Sequence, residues 1–146
     1  MAPLRNYYPY LHAGLLLLRI GIGFMFIVHG WPKITGGKET WAMVGGAMST
    51  LGISSGATFF GFMAAFAETV GGLFLMLGFL FRPVVVLLFI TMVMATIHHL
   101  AAGEGINGAS HAIESAILFL SLLFIGPGRY SLDEKLLGNA SKNRLY

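Results

Sequence analysis

The sequence predicts an all-α membrane protein, a four-transmembrane-helix bundle in up-down-up-down order with a short interfacial helix between helices 1 and 2. Three observations predict it. Of 146 residues 56% are hydrophobic and only 10% charged, giving a mean hydropathy of +0.78, more apolar surface than one compact soluble core can hide. Four apolar stretches approach the roughly 20 helical residues needed to cross about 30 Å of hydrocarbon. Turn residues separate these stretches, and the twenty glycines suit helices that pack closely in lipid.

The first span runs from Leu11 to Trp31 and stops at Pro32 and Gly36-Gly37. Arg5 before an apolar run has the look of a signal peptide. The run is too long for one, contains Arg19, and leads into His29-Gly30-Trp31-Pro32 rather than small residues, so the span is expected to be retained. Between Thr40 and Gly52, Trp41, Val44, Met48 and Leu51 recur at helical spacing while Gly45 and Gly46 weaken the helix. That segment is expected to lie at the interface as a packed connector, or as a lid over a site in the bundle.

The second span covers 57–80, the third 83–102 and the fourth 108–125. They are punctuated by Phe81-Arg82-Pro83, Gly103-Glu104-Gly105 and Gly126-Pro127-Gly128. Links this short make antiparallel hairpins of spans two and three and of spans three and four. A polar tail, 128–146, follows, with Ser131 placed to cap a short helix and Glu134 three residues on. The whole chain, 1–146, reads as a single domain.

Charge and composition exclude several functions. The net charge of +3 comes without a dense Lys/Arg run or basic stripe, so no nucleic acid is expected as a partner. Cysteine is absent, which removes disulfides, thiolate metal sites and thiol nucleophiles. Arg5, Arg82, Arg129, Lys135, Lys142 and Arg144 fall on the side of the termini, against Lys33 and Lys38 on the other. Both termini are therefore expected in the cytoplasm.

Ionisable residues inside the spans are the informative ones, because charge in hydrocarbon costs several kcal/mol unless paired or hydrated. Arg19 lies ~15 Å below His29 and Glu68 ~16 Å below Ala57 at 1.5 Å per helical residue, so the two are expected to reach one depth and pair. They would form either a structural ion pair or part of a site for protons or ligand. His29, His98, His99 and His111 gather with Glu114 toward the non-cytoplasmic ends of their spans. His111 and Glu114, three apart, share a helix face. Such groups are able to hydrogen-bond a quinone's carbonyl oxygens and carry its protons. His98, His111 and Glu114 are also competent metal ligands. The plainer alternative is a hydrated polar rim.

Family resemblance sharpens this. Leu18-Arg19-Ile20-Gly21-Ile22-Gly23-Phe24, then His29-Gly30-Trp31-Pro32-Lys33, Leu51-Gly52-Ile53, Ala67-Glu68-Thr69-Val70-Gly71-Gly72, Leu77-Gly78-Phe79 with Arg82-Pro83, and Gly126-Pro127-Gly128-Arg129-Tyr130-Ser131-Leu132-Asp133 together resemble the DoxX family of bacterial membrane proteins. The resemblance spans Leu11 to Asp133. It implies a four-helix inner-membrane protein, and redox work at the membrane, since some members form the quinone-linked part of thiosulfate:quinone oxidoreductases. By motif, Arg19, Lys33 and Glu68 match positions characteristic of the family. The expected site for a quinone or similar redox ligand is Arg19, His29, Trp31, Lys33, Glu68, His98, His111 and Glu114, with Trp31 and Lys33 at its entrance. A metal ion at His98, His111 and Glu114 is the alternative ligand. The lipid bilayer, a soluble redox protein and a second copy of the chain are the expected partners. A noncatalytic scaffold that docks a soluble enzyme through its tail, or a small transporter, remains the competing function.

Overall fold

The computed structural model describes residues 10–136, and among them there is helix and no strand. Four helical spans are long and apolar enough to cross a membrane: Leu11–Thr35, Ala57–Leu77, Phe81–Ala101 and Gly105–Ile125. The first is α1, Leu11–Thr35, which continues through Pro32 rather than ending before it. It is followed by α2, Gly37–Gly45, and by a 3-10 turn, Gly46–Leu51. The second span is built from α3, Ala57–Phe66, a π-helical turn, Ala67–Gly71, and α4, Gly72–Leu77. The third and fourth spans are α5, Phe81–Ala101, and α6, Gly105–Ile125.

Glycine sets how these helices meet. A methyl group at Gly23 would strike the Gly72 carbonyl, and one at Gly30 the Thr69 backbone. As α1 advances from residue 23 to residue 30, its neighbour falls back from 72 to 69, so α1 and the second span run antiparallel. The segment between spans one and two is helical. It packs along α3 with backbones touching: a methyl at Gly45 would meet the Ala57 carbonyl, and one at Gly61 the Trp41 carbonyl. The Trp41 indole Nε1 donates to the Lys33 carbonyl at 3.0 Å, tying α2 to the end of α1. The core beneath is Phe26, Leu75, Phe81, Leu88, Phe119 and their neighbours, with Phe26 edge-on to Phe119 at 4.9 Å.

The register overturns the expected Arg19–Glu68 pair. Gly23 opposite Gly72 places Arg19, one turn earlier, beside Gly78, where the second span ends. Arg19 is wholly buried there, and its Nη2 donates to the Tyr130 carbonyl at 2.7 Å. Nη1 packs against Gly78, whose φ of +63° makes the turn; neither Nη1 nor Nε has a hydrogen-bond partner among the described residues. The pairing would need α1 to end at Trp31 level with Ala57, whereas α1 goes on to Thr35 and α2 runs beside α3.

Residues 128–136 close the same end. Ser131 Oγ accepts from the Glu134 amide at 3.2 Å, the N-cap expected from sequence, and residues 132–136 are helical. The Asp133 carboxylate in turn accepts from the Leu80 and Phe81 amides at 2.9 and 2.8 Å, capping α5. The rest of the polar tail lies outside the described residues. Replacing Asp133 with alanine strips two acceptors from the start of α5. It is expected to lower stability by about 1–2 kcal/mol, as for other helix caps, measured as a shift in the denaturant midpoint of the purified protein; an unchanged midpoint would show the cap to be idle.

Candidate functional site

The register that separates Arg19 from Glu68 brings Lys33 to it. Lys33 stands one turn beyond Gly30, and Gly30 lets α1 approach so closely that an added methyl would touch Glu68 Cβ and Thr69. Glu68 lies in the π-helical turn, where an extra residue widens the helix; such turns concentrate at functional sites. Lys33 Nζ is 2.7 Å from Glu68 Oε1 and 2.6 Å from Oε2, so the ammonium straddles both oxygens. The Glu68 side chain is only 5% exposed and that of Lys33 34%. A pair this buried costs desolvation that its own attraction only partly offsets, so it is weak as a stabilising device.

Cavities lie on two sides of the pair. The larger, about 510 Å³, is bordered by α2 and the 3-10 turn (Met43, Met48), by α3 (Phe60, Met63, Ala64) and by α5 (Ile90, Met94, His98, His99). Its lining is mostly apolar, and Lys33, Glu68 and the two histidines supply most of its polar groups. The smaller, about 130 Å³, is bordered by Phe26 and His29 of α1, Met92 and His99 of α5, and Gly108, His111 and Ala112 of α6. Lys33, Glu68, Ala95 and His99 face both.

Among residues expected at a site, the structure brings together His29, Lys33, Glu68, His98 and His111. The His29 and His111 rings stand 5.4 Å apart across the smaller cavity. His98 borders the larger cavity and is exposed at its edge. Arg19 lies at the other end of the bundle. Trp31, 61% exposed, and Glu114, also exposed, border neither cavity. His98, His111 and Glu114 do not form the expected metal cluster: among the described residues no three His, Cys, Asp or Glu side chains come close enough to hold an ion. The reason is directional, since His98 opens onto the larger cavity while Glu114, three residues past His111, is carried out of the smaller one.

His99 is not among the residues expected at the site, since adjacent histidines on a regular helix point apart. Both nevertheless border the larger cavity, and His99 Nδ1 is also 2.8 Å from Glu104 Oε2. The Lys33–Glu68 contact was legible in principle. Arg19, Gly23, Phe26 and Gly30 form one buried stripe on α1 that points on to residue 33, and laying its glycines on Gly72 gives the observed register.

The family model for DoxX matches residues 14–100. The inner membrane protein YqjF of Escherichia coli is 33% identical over 84% of this chain and 92% of its own length. The inner membrane protein YphA of the same organism is 32% identical over 83% of this chain and 89% of its own. A Haemophilus influenzae protein is 32% identical over 92% of this chain and 97% of its own. No solved structure gives a significant match.

Proposed function

Since this chain belongs to the DoxX family and is a multi-pass inner-membrane protein, we propose that it is the membrane component of a redox system and binds a quinone, or a comparable small redox ligand, in the larger cavity. The observation that carries this reading is the Lys33–Glu68 pair standing at the wall of a mostly apolar space of about 510 Å³. Ligand sites have this composition: a largely apolar lining with a few polar groups that fix orientation.

A quinone has a flat ring with two carbonyl acceptors and an apolar tail. An ammonium carries three N–H donors, and Lys33 directs only two contacts at Glu68, leaving a donor for one carbonyl. His98 or His99 supplies a donor for the other. Met43, Met48, Met63 and Met94 line the apolar part, and flexible thioether side chains adapt to an irregular apolar body. Bound there, the ligand would supply two-electron, two-proton chemistry. The chain's part is to orient the ring, exclude lipid from it, and hold protons at the Glu68 carboxylate and the His99 imidazole. With both termini in the cytoplasm, the site lies in the outer half of the membrane, and a soluble protein supplies the electrons.

Extraction of the protein purified in native lipid should yield a bound quinone, and a short-chain quinone added to delipidated protein should bind. Ala64→Trp, which fills the larger cavity from α3, should weaken that binding at least tenfold, about 1.4 kcal/mol. Absence of quinone in the extract, together with no binding on addition, would defeat the reading.

A further inference from the structure

The smaller cavity is unlike the larger one. Three imidazoles, those of His29, His99 and His111, share its wall with Lys33 and Glu68. It lies toward the ends of three helices: Thr35 of α1, Ala101 of α5 and Gly105 of α6. Ala95, which borders both cavities together with the ion pair, is six residues and therefore about 9 Å from the end of α5. His29 and His111 are exposed as well as lining the cavity, so it reaches the molecular surface. At that end His99 contacts Glu104, which is itself exposed, in the turn between α5 and α6. A polar space of this size holds water readily, because each water needs two to four polar partners and little volume.

We infer that the smaller cavity is a water-filled passage through which the Lys33–Glu68 pair exchanges protons with the aqueous phase on the side of the α5–α6 turn, while the larger cavity serves the apolar ligand. This goes beyond the ligand reading and does not depend on what occupies the larger cavity. The pair stands between the two spaces and belongs to both linings. A proton released at the pair passes to cavity water and from it to the second ring nitrogen of His99. The imidazole gives up the proton on Nδ1 to Glu104, which loses it to bulk water. Reorientation of the ring returns a free nitrogen to the cavity water and an N–H to Glu104, so one proton leaves for each that enters. His29 and His111 are the other titratable groups facing this water, from α1 and α6.

The absence of cysteine from the chain makes the test clean. Single cysteines are placed at Ala112, on the cavity wall, and at Ala116, one turn deeper in the core. A membrane-impermeant methanethiosulfonate carrying a sulfonate is then applied to either face of sealed vesicles. Ala112→Cys should react at least tenfold faster than Ala116→Cys, and only from the side of the α5–α6 turn. Equal rates, or reaction from the opposite side, would overturn the passage. Infrared spectroscopy reads the proton route separately: the Glu68 carboxylate band, assigned with Glu68→Gln, should respond to deuterated buffer at least tenfold more slowly once the cysteine at 112 carries its label. An unchanged response would show that the pair is served by another path. Neither readout involves a quinone, so failure here leaves the ligand reading to its own test, and the reverse.

Discussion

Lys33→Met should destabilise the protein by about 1–3 kcal/mol, less than the loss for a fully buried ion pair because the Lys33 side chain is 34% exposed and Glu68 borders the smaller cavity. The Glu68 side chain is 5% exposed, and both of its oxygens contact Lys33 Nζ. Removing the ammonium strands a carboxylate among Gly30, Thr69 and the cavity walls. The double variant Lys33→Met/Glu68→Leu removes both charges and should recover most of that loss, since replacing a whole buried pair by apolar groups is often neutral. Unfolding of the three proteins in one detergent measures the difference. Equal stability of Lys33→Met and the parent would mean that Glu68 does not depend on Lys33. A stable double variant that no longer binds quinone would locate the importance of the pair in ligand chemistry rather than in folding.

That pairing shows where sequence reasoning succeeds and where it stops. Span number and approximate limits were legible because length and hydropathy are set by the bilayer and act residue by residue. The cap at Ser131 was legible because its partner, Glu134, is three residues away. Long-range register is another matter. Antiparallel helices slide against one another in steps of 1.5 Å per residue. A difference of four residues at the end of α1, together with α2 lying along α3, moved the partner of Glu68 from Arg19 to Lys33. Pro32 invited the error, because proline usually ends a helix, whereas α1 continues past it to Thr35. The π-helical turn around Glu68 carries no sequence mark apart from the residues that form it. His99 was hidden for a related reason: periodicity describes a regular helix in isolation, and a cavity that wraps the end of α5 collects neighbours that the periodicity separates.

The glycines that fix this register yield the second large effect. At Gly61 an added methyl would fall on the Trp41 carbonyl, and at Gly45 on the Ala57 carbonyl. The obstructing atoms are backbone, which cannot turn aside as a side chain does, so α2 must move off α3. Gly61→Ala should therefore cost about 1–3 kcal/mol or more, in the range of overpacked cores, despite alanine's better helix propensity. Gly21, also in a helix, has open space around its missing side chain; Gly21→Ala should be neutral or stabilising by up to about 1 kcal/mol. The contrast isolates contact from propensity, because the substitution is chemically the same. The displacement has a functional reading too, since Met43 and Met48 are carried on α2 and the turn after it and form one wall of the larger cavity. Gly61→Ala should weaken quinone binding together with stability, whereas Gly21→Ala should leave both intact. If the two variants behaved alike, α2 would not be seated against α3, and the larger cavity would lose the wall that encloses it.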